Sequence, residues 1–352
     1  MLDSVVAERI EKSMNHEEGD RVPIWDYIDN RAFYRHIAGD EPDYQRGIVK
    51  VYHEMQIDLC RGYGASFDAD QNGTVHEHGE SQWKISGQTA WTTRHPIRSL
   101  EDLKVFHLPA PDEEALEREW VPWIRNQQEA FAPYTMYVPG GGCGFHGTYG
   151  LMGLALFSVL TYDARDEIER LLWEHTALEV ARARVAARHD LCPIYFIGDD
   201  VAYKGRTMFS PQFLRETFVR QLAAVCEPVK NAGMKVIFHT DGDVTCLVDD
   251  MIEAGIDGLN PIEPLAGMDI GYLKRRYGRS LILVGNVDCS QVLPLGSKED
   301  VVEATKACLR AAAPGGGHFI GSSSEIVPAT PVGNILAFYE ACRTYGRYPI
   351  NC

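Results

Sequence analysis

Basic residues are scarce in this chain of 352 residues, which carries 34 Lys and Arg residues against 50 Asp and Glu residues. The resulting formal net charge of −16 argues against nucleic acid or an anionic membrane surface as a partner, because both bind basic proteins. No apolar run reaches the length of a membrane span, and the charged N-terminus lacks the apolar core of a signal peptide. We therefore expect a cytoplasmic protein.

Paired cysteine motifs are also absent. The nine cysteines form no CxxC pair, and their odd number and apolar surroundings predict reduced thiols that mostly pack in the interior. This pattern excludes a structural zinc ribbon.

Nucleotide-binding motifs are missing or incomplete. The chain contains no GxxxxGK[ST] phosphate loop, and it contains no GxSxG nucleophile elbow either. Residues 142–147 match GxGxxG literally, but the loop is rich in glycine and no acidic residue ends a following strand at the usual offset. A dinucleotide site is therefore disfavoured.

Eight short apolar runs alternate with helical stretches and predict β-strands. The predicted strands are residues 21–25, 57–61, 135–139, 193–198, 235–239, 256–260, 281–285 and 318–322. Strands that alternate with helices favour a parallel sheet, and eight is the number that closes a (β/α)8 barrel of the TIM type. With no linker or low-complexity stretch, we expect one elaborated α/β barrel domain over residues 1–352.

Amphipathic stretches predict helices over residues 166–189, 210–233 and 332–346. Ser210 is the predicted N-cap of the second helix, which Gly233 ends. Residues 74–97 instead alternate apolar and polar side chains, which predicts an antiparallel meander with glycine-containing turns, inserted after the second strand. His76 and His78 share one face of this meander, where a solvated face is favoured over a metal site.

Polar residues follow most of the predicted strands, at the end where a barrel of this type has its mouth. The stretch FHTDGDV, residues 238–244, places charge at the end of a buried strand, where it requires a partner or a metal. We therefore expect a pocket with His239, Asp241 and Asp199 as catalytic residues. The predicted substrate-binding residues are Asp26, Tyr27, Phe145, His146, Tyr149, Asp200, Glu263, Asn286 and Ser324.

Imidazole and carboxylate ligands suit a divalent metal such as zinc, with one position left open for catalysis. His239, Asp241 and Glu325 are the predicted metal ligands. Three alternatives stay open: His239 as a structural histidine, Asp241 as a turn or capping residue, and Glu325 as the partner of a cation. Asp243 is the better candidate for a helix N-cap and is left out of the catalytic set.

Four stretches within residues 140–350 together resemble the uroporphyrinogen decarboxylase superfamily. They include GDDVAYKGRTMFSPQFLRE, LVDDMIEAGIDGLNPIEP, LVGNVDCSQVLPLGSKEDV and PGGGHFIGSSSEIVPATPVGN. The resemblance implies a (β/α)8 barrel with its pocket at the C-terminal mouth. True decarboxylases of this superfamily bind substrate carboxylates with an RQAGR signature, and the corresponding stretch here, GDRVPIWDYIDNRAF, has none.

The other branch, the cobalamin-dependent methyltransferases, therefore gives the better resemblance. Its members move a methyl group between a small methyl compound or a thiol and a corrinoid carried on a separate protein. Thiol-methylating members bind zinc through His-x-Cys after strand five and a Cys after strand eight, and the corresponding residues here are His239, Asp241 and Ser324. Oxygen in place of sulfur makes such a site harder and more Lewis-acidic, so coenzyme M is a poor candidate substrate.

The resemblance thus implies a methyltransferase or O-demethylase that moves a methyl group from a small O- or N-methyl compound to the corrinoid (cobalamin) of a partner protein. The chain lacks a DxHxxG corrinoid-binding signature of its own. Zinc is a further expectation. Phe145, His146 and Tyr149 either wall an aromatic substrate or only pack the barrel top. A decarboxylase and a non-catalytic small-molecule-binding barrel are the alternatives, and the oligomeric state stays open, with a homodimer as one alternative.

Overall fold

Eight parallel segments form a ring in the computed structural model, which describes residues 1–63, 74–78, 81–85 and 90–352. They are β1 (residues 24–25), β2 (Leu59–Cys60), β3 (residues 136–141, paired over Met136–Tyr137 and Gly140–Gly141), β4 (Ile194–Gly198), β5 (Lys235–His239), β6 (Gly258–Asn260), β7 (Ile282–Val284) and β8 (His318–Phe319). Each pairs in parallel with the next, and Ile24 pairs with Ile320 directly after β8. The predicted (β/α)8 barrel is confirmed.

Side chains alternate between the two faces of each strand, and this alternation divides the barrel residues into two apolar clusters. The cluster inside the ring contains Trp25, Leu59, Val138, Ile194, Phe196, Ile237, Ile282, Val284 and Phe319. The cluster between the ring and the helices contains their sequence neighbours, such as Ile24, Cys60, Tyr195, Ile197, Val236, Phe238 and Leu283. A residue that lies two positions after an inward side chain at the end of its strand therefore points toward the mouth.

Helices surround the ring. Their bounds are Ser4–Met14, Arg31–Ala38, Tyr44–Met55, Leu100–Val105, Glu113–Ala115, Val121–Phe131, Phe145–Gly150, Leu154–Asp163, Arg165–Arg188, Pro211–Glu216, Phe218–Asn231, Val248–Ala254, Ile270–Tyr277, Val292–Leu295, Lys298–Ala312 and Val332–Tyr345. Leu116–Trp120 adds a π-helical turn, and Thr245–Leu247 and Pro264–Ala266 are short 3-10 turns. No helix among the described residues is long and apolar enough to cross a bilayer.

The helix predicted over residues 210–233 is divided in two. Its N-cap is Ser210 as predicted, because the hydroxyl accepts the N–H of Phe213. The division falls at Thr217, whose hydroxyl donates to the Phe213 carbonyl at 2.7 Å and whose backbone leaves the helical region at φ −120° and ψ −84°. A threonine that bonds back to the preceding turn is a common cause of such a bend.

Strands Thr74–His78, Ser81–Ile85 and Ala90–Arg94 form the predicted antiparallel meander between β2 and β3. The glycine-containing turns predicted within it lie outside the described residues, and so do the side chains of His76 and His78. A second small antiparallel pair, Ala202–Tyr203 with Arg206–Thr207, follows β4.

The helix Ser4–Met14 closes the end of the barrel opposite the mouth. Its apolar side chains Val6, Ile10 and Met14 join the cluster inside the ring. Beside them Arg9 pairs with the buried Asp58 at 2.6 Å, so the charges at this end neutralise one another. The helix Ser4–Met14 and this ion pair therefore cover the end of the barrel opposite the mouth.

Candidate functional site

His239 ends β5 and points into the mouth, because Ile237 two residues earlier points into the ring. Its Nδ1 lies 2.6 Å from Oδ1 of Asn260, the last residue of the neighbouring strand β6. The amide nitrogen of Asn260 donates to the Val284 carbonyl, so the amide oxygen faces the ring and accepts the Nδ1 proton. Nε2 is therefore the nitrogen with the free lone pair.

The imidazole of His239 is neutral in the folded protein. Burial and the positive charge of Arg61 together lower its pKa to about 4, against the opposing effect of Asp200. Neutral imidazole with its second nitrogen held by a hydrogen bond is the form in which histidine binds metals.

Asp241 lies beside that lone pair. Its Oδ1 is 3.8 Å from His239 Nε2 and, among the described residues, this buried oxygen has no hydrogen-bond donor. Burial and the negative charges of three neighbours together raise the pKa of Asp241 to about 7; these neighbours are Asp200, Glu263 and Glu325. A carboxylate in such surroundings is stabilised by a bound cation or a proton.

Asp200 completes the group. Its Oδ1 accepts the backbone N–H of Asp241 at 3.0 Å, and its Oδ2 lies 3.4 Å from His146 Nδ1. Burial acts to raise the pKa of Asp200, but the hydrogen bonds from the His146 ring and from the backbone N–H of Asp241, together with the nearby imidazole of His239, outweigh it and lower that pKa to about 2. Asp200 is thus ionised and positioned by two neighbours.

The ligand atoms of Asp200, His239 and Asp241 all lie within 4.8 Å of one another, and no other trio of this kind occurs in the described part of the chain. One imidazole nitrogen and two carboxylate oxygens make a donor set that zinc accepts, and the buried oxygen of Asp241, which has no hydrogen-bond partner among the described residues, fits the role of a ligand. These residues therefore fit a divalent metal. Glu325, a ligand predicted from sequence, lies outside the trio and accepts a hydrogen bond from Ser324 at 3.2 Å.

The loop after β5 is held in place by carboxylates from two other strand ends. Glu263, after β6, accepts the N–H of Gly242 at 3.0 Å, while Asp200 accepts the N–H of Asp241. Gly242 has φ +89°, and a Cβ there would collide with the backbone of Tyr203. The trio is therefore fixed by backbone geometry as well as by side chains.

Asp199 has a different environment from Asp200. It follows the inward Phe196 by an odd number of residues, so its side chain points outward and is buried. Its carboxylate accepts the backbone N–H groups of Cys143, Gly144, Phe145 and His146. Asp199 thus fastens the glycine-rich loop after β3 to the end of β4, and this geometry favours a positioning role over the predicted catalytic one.

Two further predicted substrate residues lie away from the mouth. Asp26 is buried between β1 and the last helix, where it accepts the hydroxyls of Ser322 at 2.6 Å and Tyr339 at 3.0 Å. Phe145 is fully buried and contacts Phe157 edge to face at 5.5 Å between ring centroids. Of the two alternatives for Phe145, the geometry favours packing.

The remaining predicted residues line the mouth or support it. The ring of His146 stacks on Tyr149 at 4.8 Å, and both side chains are partly exposed, as is Tyr27. Asn286 is buried and its amide donates to the carbonyl of Ile262 at 2.9 Å, which ties the ends of β6 and β7 together. Ser324 lies beside Glu325 at the end of β8.

Arg61 is a mouth residue that the sequence reasoning missed. It follows β2 two residues after the inward Leu59, and its guanidinium carbon lies 4.9 Å from the ring centroids of both Tyr27 and Phe196. The predicted strand over residues 57–61 ends on Arg61, so Arg61 was counted as a strand residue and not among the polar residues that follow the strands. The inward position of Leu59 was the signal that could have identified it.

Comparisons with known proteins bear on the family. A family model described as Uroporphyrinogen decarboxylase (URO-D) matches residues 89–345. The uroporphyrinogen decarboxylase of Coxiella burnetii is 25% identical over 285 residues, which cover 73% of this chain and 72% of that protein. The methylcobamide:CoM methyltransferase MtaA of Methanosarcina barkeri is 28% identical over 169 residues, which cover 48% of this chain and 46% of that protein.

Among solved structures, a methyltransferase from Methanosarcina mazei superposes with a TM-score of 0.71 at 20% identity, covering 96% of this chain and 98% of that chain. This likeness supports the barrel fold along nearly the whole chain. The resemblance predicted from sequence is confirmed, because relatives from both branches of the superfamily are among the matches. Since the family model spans more than half of its residues, the chain belongs to the uroporphyrinogen decarboxylase (URO-D) family.

Proposed function

We propose that this protein transfers the methyl group of a small O- or N-methyl compound to the corrinoid of a separate partner protein. The observation that carries this proposal is the trio Asp200, His239 and Asp241 at the barrel mouth. The name of the Methanosarcina barkeri relative, a methylcobamide:CoM methyltransferase, supports methyl exchange with a corrinoid.

The donor set favours an oxygen-bound methyl group over a thiol. A site with one imidazole and two carboxylates is harder than one with thiolates, and a hard cation interacts best with oxygen. His239 through Nε2, with Asp200 and Asp241 through carboxylate oxygens, would hold a divalent ion such as zinc. When bound, the ion supplies a Lewis acid that stabilises negative charge on the leaving oxygen.

The reaction requires a group that receives the charge of the departing oxygen. The methyl–oxygen bond breaks heterolytically, the oxygen keeps the electron pair and takes up a proton, and the methyl carbon passes to the cob(I)alamin of the partner. In protein without metal, a pKa of about 7 leaves a large share of Asp241 protonated at neutral pH, so Asp241 is itself a suitable proton donor. With or without a metal, Asn260 holds His239 in the tautomer whose proton is on Nδ1, so the lone pair of Nε2 faces the site.

Porphyrinogen decarboxylation is the second candidate, because the Coxiella burnetii decarboxylase aligns over most of the chain. The charge of the mouth argues against it. Burial is the main cause of the raised pKa of Asp241, but Asp200, Glu263 and Glu325 raise it as well. Their negative charges create a potential that repels a substrate with many carboxylates. A barrel that binds a methylated compound without turnover is the non-catalytic alternative.

A methyl-transfer assay tests the proposal. The purified protein is mixed with cob(I)alamin and a panel of methylated amines and aryl methyl ethers, and methylation is followed by the change in the corrinoid spectrum. We expect turnover with at least one compound, and a loss of roughly 100-fold or more in His239→Ala and Asp241→Asn. Elemental analysis of the same samples should find a divalent metal in the wild type and less of it in His239→Ala.

Asp243→Asn is the matched control, because Asp243 lies two residues beyond Asp241 and the one hydrogen bond of its side chain within the described ranges is with the N–H of Thr245, which it accepts. This variant should keep both the metal and the activity. Unchanged turnover in His239→Ala would refute the assignment of the trio. Conversion of uroporphyrinogen by the wild type, without methyl transfer to any compound, would establish the decarboxylase instead.

A further inference from the structure

The guanidinium of Arg61 has no role in the reaction proposed above. Its central carbon lies 4.9 Å from the ring centroid of Tyr27 and 4.9 Å from that of Phe196, at the mouth end of β2. Within the described residues it forms no hydrogen bond and no ion pair. The barrel therefore presents a cation that has aromatic neighbours and, in the part of the chain that the structure describes, no counter-ion.

The two rings leave the hydrogen-bonding groups of Arg61 available. Aromatic rings attract a guanidinium through its charge, but they accept little from the N–H groups that point outward in its plane. Such a planar fork matches a carboxylate, which can accept two parallel N–H···O bonds. A partly buried arginine in this state is prepared for an anionic ligand.

Arg61 and the acidic trio occupy separate parts of the mouth. Phe196 contacts both parts, because its ring also lies 5.6 Å from the ring of His239. Asp241 lies beside His239, whereas no carboxylate of the described residues pairs with Arg61. The acidic side repels an anionic group and Arg61 attracts it, so a ligand with one charged end has a single favourable orientation.

We propose that Arg61 binds the carboxylate of the substrate, and that the substrate is a small methoxylated acid. This rests on the proposed function in one respect, since it takes the methyl-bearing oxygen to lie at the trio. With the carboxylate at Arg61, the opposite end of the molecule faces His239 across the ring of Phe196. Arg61 then determines both the class of substrate and the direction in which it enters.

Direct binding tests this without any turnover. Isothermal titration calorimetry is run with para-methoxybenzoate and with its neutral analogue para-methoxybenzamide on the wild type, Arg61→Met and Arg61→Lys. We expect the wild type to prefer the benzoate by about tenfold or more, because hydrogen bonds to a charged group are the strong ones. Arg61→Met should lose this preference and keep its affinity for the amide, while Arg61→Lys should retain part of it.

Arg206→Met is the matched control, because Arg206 also lies over a tyrosine ring, that of Tyr203 at 5.6 Å, but on the exposed hairpin after β4. It should keep the preference for the benzoate. A preference retained in Arg61→Met, or absent from the wild type, overturns the inference even where the methyl-transfer assay succeeds with other compounds. Conversely, if no methyl transfer is found, the binding experiment can still show that the preference for the benzoate depends on Arg61. A failure of the proposed function can therefore be distinguished from a failure of this inference.

Discussion

Asp26 and Asp199 lie at the ends of barrel strands, yet neither carboxylate faces the mouth. Both follow an inward residue by an odd number of positions, and both are buried behind the ring. Asp26 contacts hydroxyl groups and pairs with no cation among the described residues, so burial raises its pKa to about 6 against the lowering effect of hydrogen bonds from Ser322, Tyr27 and Tyr339. Ionisation of Asp26 therefore lowers the free energy of unfolding, and the size of this effect depends on pH.

The Asp26→Asn variant should therefore become more stable relative to the wild type as the pH rises. The folded pKa of about 6 exceeds the ordinary value of 3.8, so the folded state holds the proton more tightly and the wild type loses stability between these values as the pH increases. Asp26→Asn has no proton to lose. The difference in unfolding free energy between variant and wild type should grow in favour of the variant by on the order of 3 kcal/mol from about pH 4 to about pH 8.

Chemical denaturation at several pH values measures this difference. Tyr339→Phe is a useful comparison, because it removes one hydroxyl from Asp26 and leaves the carboxyl group in place. Loss of that hydrogen bond should raise the pKa of Asp26 further, so the decrease in stability should extend to higher pH and become larger in total. A variant-to-wild-type difference that stays flat over this range would show that Asp26 is ionised throughout.

The sequence predicted where polar groups gather, but not which of them face the same space. His239, Asp241 and Asp200 could be placed at one mouth because parallel strands end at the same side of a barrel. Their separation from Asp199 and Asp26 needs the exact strand register, which short apolar runs do not provide. Asp200 could be predicted as a pocket residue, whereas its position beside Asp241 depends on a backbone hydrogen bond between two loops.

At the scale of single elements, the loop after β3 depends on an acceptor that another strand supplies. Four consecutive N–H groups of residues 143–146 converge on Asp199. The sequence showed a glycine-rich loop and an acidic strand end, but the contact between them joins residues more than fifty positions apart. The division of the predicted helix at Thr217 has a local cause instead, namely the hydroxyl that bonds to the preceding turn.

Asp199→Asn should destabilise the protein by about 3 kcal/mol or more. The amide keeps one oxygen but directs its N–H groups at backbone N–H groups that are buried and then lack an acceptor. Asp269→Asn is the matched control, because Asp269 accepts a single N–H, that of Tyr272, at an exposed helix start. Asparagine caps a helix as well as aspartate does, so the control should change the free energy of unfolding by less than about 1 kcal/mol.

Urea unfolding of both variants at neutral pH provides the comparison. Limited proteolysis adds a local readout, because a loop released from β4 should be cleaved near residues 140–150 before the barrel unfolds. Equal stability of Asp199→Asn and Asp269→Asn would mean that the loop is held by its packing alone, for example by the buried ring of Phe145.

At the scale of the whole molecule, the two ends of the barrel contribute to stability in opposite directions. The mouth gathers carboxylates that repel one another, which weakens the fold there. The other end is sealed by Ser4–Met14, whose apolar face enters the ring, and by Asp58, which is paired with Arg9 and Arg21. The apolar packing and the ion pairs at the sealed end offset the charge repulsion at the mouth, as is common for barrels of this kind.

The Ile10→Ala variant should lower the stability of the protein without changing its activity. Ile10 is fully buried inside the ring, so truncation leaves a cavity and should cost about 2–4 kcal/mol in unfolding free energy. Val5→Ala on the same helix is the control, because Val5 is 51% exposed and should change stability by no more than about 0.5 kcal/mol. Methyl transfer per folded molecule should equal that of the wild type in both variants, since the trio lies at the opposite end. The contradicting result is a lower specific activity in Ile10→Ala than in the wild type, measured at a temperature at which the variant is still folded. If Val5→Ala does not show the same loss, packing along the barrel axis positions His239.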